Sequence, residues 1–222
     1  MVSSVIPSPD RNQAGFTLIE LLMAMAVSTA IMGSLVLVSA QMTRSYYSQL
    51  DGAAVQQEGR YALDLIVRTL QSAGNNPETI VTSPCPTAGT TFRAIQRNPN
   101  GAATQNNIRI HSDLNGNGVL GGATTGTCPD TYEDITFALN TTTQTITMDD
   151  NMIAGGAALD MTDTVITGLT FAYLDCARAA TTDDDDVCYV QVTVTSQTPT
   201  VNNNTGVKTT YTNNAEVRMR TR

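Results

Sequence analysis

Residues 16–40 read FTLIELLMAMAVSTAIMGSLVLVSA, and this apolar stretch decides the fold of the N-terminal part of the chain. As an α-helix it is roughly 37 Å long, which is enough to cross the hydrocarbon core of a bilayer. The small residues Ala14 and Gly15 precede the apolar run, whereas the cleavage site of a secretory signal follows a shorter apolar core. We therefore predict that the apolar segment is retained after processing and forms a membrane-spanning helix.

Glu20 interrupts this apolar run. An ionised carboxylate near hydrocarbon costs about 2.5 kcal/mol or more on insertion scales, so such a residue needs a partner or a function. A position at the level of the lipid headgroups would cost little. The residue alone does not decide between this position and one in the hydrocarbon with a partner or a function. Flanking charge does not set the orientation, because Arg11 precedes the span and Arg44 follows it.

The string GFTLIE at Gly15–Glu20, followed by LLMAMAV, closely resembles the type IV prepilin signature. The resemblance implies that a prepilin peptidase cleaves the Gly15–Phe16 bond and that the new N-terminus on Phe16 is methylated. It also implies that residues 1–15 are a cytoplasmic leader and that Glu20 pairs with the Phe16 amine of a neighbouring subunit. The physics agrees, because a buried carboxylate and a buried ammonium are each unfavourable alone and together fix an axial register.

An amphipathic stretch follows the apolar run. No proline occurs between residues 16 and 76, and beyond residue 52 apolar residues recur at mixed spacings of three and four. Gly74 and the sequence NNP after it form a typical helix stop. We predict one helix over residues 16–73, with a membrane half at 16–40 and an amphipathic half within 41–76. Gly52 and Gly59 weaken this helix locally, so a kink or a melted stretch is expected there.

Residues 77–222 have the sequence pattern of a β-rich globular head. Within Val190–Thr195 one face is aliphatic and the other polar, as expected for a sheet that covers a helix on one side. Short connections favour antiparallel pairing. The predicted strands are Asn107–His111, Asp134–Leu139, Gln144–Asp149, Thr164–Leu174, Tyr189–Ser196 and Val207–Met219. The predicted loops are Thr79–Asn106, Asn115–Thr131 and Ala177–Asp186.

Four stretches of the head resemble PilW-type minor pilins and, more distantly, J-type pseudopilins of type II secretion. They are IRIHSDLNGNG at 108–118, YEDITFAL at 132–139, ITGLTFAYLD at 166–175 and AEVRMRTR at 215–222. The resemblance implies an α+β type IV pilin fold, in which a long N-terminal helix packs against an antiparallel β-sheet head. The apolar stretch lacks the proline often found in major pilins, which favours a minor pilin or pseudopilin.

This resemblance implies a role in assembly. A minor pilin would help to initiate or tip a pilus used for adhesion, motility or DNA uptake, whereas a J-type pseudopilin would cap a secretion pseudopilus. An adhesive head that depends on calcium is the third alternative. The implied partners are other pilins through the N-terminal helix, prepilin peptidase and the pilus assembly platform. The implied location is the inner membrane of a Gram-negative-type bacterium, with the head in the periplasm, and later the pilus or cell surface.

The sequence DLNGNG at residues 113–118 fits the calcium-loop pattern D-x-[DN]-x-[DN]-G. The candidate ligands are Asp113, Asn115, Asn117, the Val119 carbonyl and, from a distance, Glu133 or Asp134. The bidentate glutamate of an EF-hand is missing, because its place falls on Thr124. An Asn-Gly-rich turn is the alternative. We expect no required cofactor, with Ca²⁺ as the one candidate.

The four cysteines, Cys85, Cys128, Cys176 and Cys188, all follow the apolar segment and form no CxxC pair. In an exported domain they predict disulfides, with three connectivities open. The pilin resemblance implies the pairing Cys176–Cys188, around an exposed contact loop, together with Cys85–Cys128. The four aspartates at 183–186 inside that loop fit either a cation or basic partner, or a solvated loop tip.

The composition limits the class of function. Charged residues make up 14% of the chain, against about a quarter in typical domains, and the net charge is -8. Lys208 is the only lysine, so the charge does not indicate DNA contact. The chain has no GxxxxGK[ST] phosphate loop, and its single histidine, His111, fits a strand end better than a general base. We therefore predict that the protein is not an enzyme.

Overall fold

The structure is a computed structural model that describes residues 15–76, 80, 82–83, 90–99, 105–118, 120, 132–151, 157–202 and 206–219. The chain divides into two compact units at Tyr47 and Ser48, a boundary that falls within its helix. The elements are α1 (Leu18–Ser72), β1 (Thr82–Ser83), β2 (Thr90–Thr91), β3 (Ile95–Arg97), β4 (Asn107–His111), β5 (Asp134–Asn140), β6 (Thr145–Asp150), β7 (Leu159–Asp160), β8 (Ile166–Leu174), β9 (Tyr189–Gln197) and β10 (Thr210–Arg218).

The first unit is the apolar part of α1. Its most apolar window of 18 residues has a mean hydropathy of 2.3, and all of that window is exposed. Within the described ranges this is the one helix long and apolar enough to cross a membrane. The predicted helix over residues 16–73 is therefore confirmed to within two residues at its start and one at its end.

The second unit contains three antiparallel sheets. One has the strand order β3-β4-β5-β6-β7, one has the order β10-β9-β8, and β1 pairs with β2. The α+β class and the six predicted strands are confirmed, with small shifts at their ends. The prediction that Thr79–Asn106 is entirely loop is wrong, because it contains β1, β2 and β3. These strands have two or three residues, which is too short to display an alternating pattern.

The distal part of α1 supplies the centre of the core. Ala62, Ile66 and Leu70, spaced by four, are at most 1% exposed and pack in one cluster with buried side chains of both larger sheets. The largest fully buried sheet side chains of the cluster are Phe137 on β5 and Phe171 on β8, each 0% exposed. Deeply buried aromatic and aliphatic side chains of this kind contribute about 1.5–3 kcal/mol each. The helix is therefore part of the head's hydrophobic core.

Gly52 and Gly59 allow α1 to approach the sheet closely. A Cβ at Gly52 would lie 2.5 Å from the Tyr211 hydroxyl, and one at Gly59 would lie 2.8 Å from Asn213 Nδ2 and 3.0 Å from Ser196 Oγ. The expected melted stretch is wrong, because α1 is a continuous α-helix of 55 residues. The helix-propensity cost of each glycine, about 1 kcal/mol, is offset by this close packing.

Candidate functional site

The predicted processing and assembly residues lie at the start of α1 and just before it. Gly15 and Phe16 precede the helix, and the Phe16 side chain is 87% exposed. The Glu20 amide donates to Thr17 Oγ1 at 3.3 Å, and the Thr17 amide donates to Glu20 Oε2 at 3.2 Å. These reciprocal bonds form a capping box, which satisfies two amides of the first helical turn. This local role of Glu20 was not predicted, although the T-x-x-E spacing of Thr17 and Glu20 is its sequence signal.

The loop at residues 113–118 is held by its own side chains. Asp113 Oδ1 accepts from the Gly116 amide at 2.6 Å, and Oδ2 accepts from the Gly118 amide at 3.1 Å. Asn115 Oδ1 accepts from the Asn117 amide at 2.9 Å. Gly116 and Gly118 have φ angles of 74° and 79°, which favour glycine because a Cβ is strained there. The buried Asp113 side chain therefore faces the interior of the loop, whereas Asn115 is exposed.

Glu133 joins this loop from the segment just before β5. Its side chain is almost fully buried, and Oε1 accepts from the Leu114 amide at 2.9 Å and the Asn115 amide at 3.4 Å. The structure thus brings the side chains of Asp113 and Glu133 and the backbone of Asn115 to one loop, whereas Val119 lies outside the described residues. No three His, Cys, Asp or Glu side chains in the described part of the chain are grouped to hold a metal. Calcium at this loop would therefore need amide and carbonyl oxygens besides its two carboxylates.

Asp134, the alternative calcium ligand, forms an ion pair with Arg109. Arg109 Nε donates to Asp134 Oδ1 at 2.6 Å and Nη2 donates to Oδ2, so the pair is bidentate. Burial acts to raise the pKa of the Asp134 carboxyl, but hydrogen bonds from Arg109 and His111 outweigh it and lower that pKa to about 2. The same carboxylate raises the pKa of the Arg109 guanidinium. Asp134 is thus committed to an ion pair within the five-stranded sheet.

His111 ends β4 and is 3% exposed. Its Nδ1 accepts from the Arg93 amide at 3.3 Å, which assigns the ring proton to Nε2, 3.4 Å from Asp134 Oδ1. This burial keeps solvent and substrates from the ring. The arrangement fits a structural strand-end residue and gives no evidence for a catalytic base.

Residues 176–188, here called the disulfide loop, connect β8 to β9. Cys176 and Cys188 form the predicted disulfide, whereas Cys85 and Cys128 lie outside the described residues. Asp184 forms ion pairs with Arg97 and, at 3.6 Å, with Arg93, and its side chain is 12% exposed. Part of the loop is therefore anchored to the neighbouring sheet. No local signal in the sequence indicated Arg93 and Arg97, because both lie in a segment predicted to be loop.

One comparison with known proteins gives a match. Residues 10–36 match the prokaryotic N-terminal methylation motif, which covers the predicted cleavage site and Glu20. No curated protein and no solved structure matches the chain. The motif indicates a processed subunit of the pilin or pseudopilin kind, which implies prepilin peptidase and assembly with other pilins. The chain thus joins a type IV prepilin-like N-terminus, of the kind anchored in a membrane before assembly, to an α+β structure consistent with the type IV pilin fold.

Proposed function

We propose that the protein is a PilW-type minor pilin that helps to initiate or tip a type IV pilus. The observation that carries the proposal is the methylation motif at the start of a continuous helix of 55 residues. The first part of this helix is apolar and exposed, and its last part lies in the core of the head. One element therefore combines an apolar segment suited to a membrane or a filament core with a segment that belongs to the core of the head.

Processing occurs at the Gly15–Phe16 bond, and Phe16 becomes the methylated N-terminus. Both residues are exposed and precede the first helical residue, Leu18, which supports access by a membrane peptidase. Before assembly the subunit is anchored in the inner membrane, with its head in the periplasm of a Gram-negative-type bacterium. It then moves into the pilus, where adhesion, motility or DNA uptake takes place.

Glu20 pairs with the Phe16 amine of a neighbouring subunit. In the single chain its carboxylate accepts one amide of the capping box and lies at the positive end of the α1 dipole, which reduces the cost of its charge. Assembly would add an ammonium partner, which would remove the cost of leaving this carboxylate unpaired in hydrocarbon.

Intact mass and N-terminal sequencing of the protein from membranes and sheared filaments test this function. The expected chain begins at N-methylated Phe16 in both fractions. A chain that still begins near Met1, in cells with active prepilin peptidase, would contradict the proposal.

The alternative role, that of a J-type pseudopilin, would place the same processed subunit in a secretion pseudopilus instead of a pilus. Deletion of the gene separates the two, because loss of surface pili supports the pilus and loss of a secreted protein supports the pseudopilus.

A calcium-dependent head is the second candidate, and the convergence of Asp113, Asn115 and Glu133 on one loop favours it. Calorimetry of the full chain in non-ionic detergent, at millimolar Ca²⁺, tests it. Heat of binding and a raised unfolding temperature are expected. Both should disappear in Asp113→Asn, and equal behaviour of that variant would count against the loop as the site.

A further inference from the structure

The apolar part of α1 contains an uncharged stretch whose two ends are chemically marked. Residues 21–40 include no Asp, Glu, Lys or Arg, and every one of them is exposed. As part of a helix this stretch rises about 30 Å, which matches the hydrocarbon core of a bilayer. Glu20 lies at its first end, and the sequence QMTRSYY at residues 41–47 follows its second end. The marked ends are therefore separated by the thickness of a membrane.

Arg44, Tyr46 and Tyr47 follow the uncharged stretch within two helical turns, and all three are exposed. The two tyrosines are 60% and 62% exposed, and their ring centroids lie 6.0 Å apart in an edge-to-face arrangement. Arg44 forms no ion pair with another described residue. Because helical side chains tilt toward the N-terminus of their helix, these three lean back toward the apolar stretch. Two amphipathic rings and a cation are thus displayed at its second end.

This chemistry favours a lipid surface over a protein partner. A tyrosine ring has an apolar body and a polar hydroxyl, and tyrosine is enriched where hydrocarbon meets the lipid headgroups. An arginine at the same level keeps its stem on apolar surface while its guanidinium reaches the lipid phosphates. A protein bound only at Tyr46 and Tyr47 would leave the neighbouring apolar stretch in water, whereas one bilayer covers both.

We propose that Tyr46 and Tyr47, together with Arg44, bind the periplasmic headgroup layer and fix the depth of α1 in the membrane before assembly. The rise from Glu20 to Tyr46 is about 39 Å, close to the thickness of a bilayer with its headgroups, about 40–45 Å. Glu20 therefore lies in the opposite headgroup layer, where its charge costs little, and it loses its hydration only on assembly. The inference rests on the proposed membrane-stored state and identifies the residues that set its depth.

Depth-dependent fluorescence quenching of the full chain in phosphatidylcholine nanodiscs tests the proposal. The chain has no tryptophan, so Tyr46→Trp and Tyr47→Trp each introduce a single emitter. We expect both emitters to be quenched more strongly by lipids brominated near the glycerol backbone than by lipids brominated near the ends of their acyl chains. Leu18→Trp should give the same order, because Leu18 lies beside Glu20. Stronger quenching of Leu18→Trp by the deep bromines would overturn the inferred depth of Glu20.

Met32→Trp is the matched control, because Met32 is 70% exposed and lies about midway between Glu20 and Tyr46. It should be quenched more strongly by the deep bromines, which would show that tryptophan itself does not draw the helix to the headgroups. With that control deep, quenching of Tyr46→Trp and Tyr47→Trp by aqueous iodide alone, or mainly by deep bromines, would overturn the anchor and leave the membrane span standing. No lipid quenching of Met32→Trp would overturn both the anchor and the proposed membrane-stored state.

Discussion

Asp184 in the disulfide loop forms an ion pair with Arg97 on β3, across 87 residues of sequence. The contact joins the connection between two strands of the three-stranded sheet to the edge strand of the five-stranded sheet. Arg97 also lies over the Tyr173 ring, 5.6 Å from its centroid. Burial raises the pKa of the Tyr173 hydroxyl, so the ring is neutral throughout the physiological range. A neutral aromatic face and a carboxylate thus hold the same guanidinium.

Removal of this ion pair should loosen the disulfide loop. Asp184→Asn leaves Arg97 with a weaker partner at a site where both side chains are 20% exposed or less. We expect the free energy of unfolding to fall by about 2 kcal/mol, as for a hydrogen bond between charged groups. Denaturant unfolding of the full chain in detergent measures this change. Asp183→Asn is the control and should have an effect below about 0.5 kcal/mol; similar losses in both variants would contradict the anchoring role.

Asp134 should make the head less stable in acid. Its folded-state pKa, about 2, lies below the value of 3.8 for a free carboxyl, so its contribution is fully present above pH 4. That contribution is lost as the pH falls from about 4 to about 2, and it amounts to about 2 kcal/mol. The free energy of unfolding measured between pH 2 and pH 6 tests this, because the slope below pH 4 should be smaller in Asp134→Asn. An unchanged slope would show that other carboxylates control acid unfolding.

Alanine at Gly59 should destabilise the head despite its better helix propensity. The new Cβ would meet Ser196 and Asn213, and Ser196 is fully buried, so the contact is relieved only by moving the core. Overpacking of this kind costs about 1–3 kcal/mol. Gly52→Ala should cost less, because its neighbour is the far end of the Tyr211 side chain. Thermal unfolding of both variants tests this order of stability losses. A larger loss in Gly52→Ala than in Gly59→Ala would count against this packing.

Substitutions of Glu20 separate its two roles. Glu20→Gln keeps the capping box, because a glutamine amide oxygen also accepts from the Thr17 amide, but it removes the charge. We expect both Glu20→Gln and Glu20→Ala to be processed normally and to be depleted at least about tenfold in sheared filaments, as expected if the pair contributes about 1.4 kcal/mol or more. Immunoblots of membrane and filament fractions provide the measurement. Normal incorporation of Glu20→Gln alone would show that capping is the role that matters.

Part of the candidate sites was predictable from local sequence. The local signals are the spacing of the capping box, the DLNGNG turn and the alternation within each of the six longer strands. Each of them lies within about ten residues of the chain. β3 and the partner of Asp184 depend on pairing between distant segments. A strand of three residues is specified by its neighbour, β4, rather than by its own pattern.

The sequence by itself determined a prepilin-like start, one long helix and an antiparallel β-rich head. These features are local, because they arise from hydropathy, spacing and strand alternation. Only the tertiary structure decided that Cys176 pairs with Cys188, that Gly59 lies against Ser196, that Glu133 reaches the loop of Asp113, and that Asp184 pairs with Arg97. The physical reason is that close packing and charge pairing select their partners in space, across segments far apart in the chain.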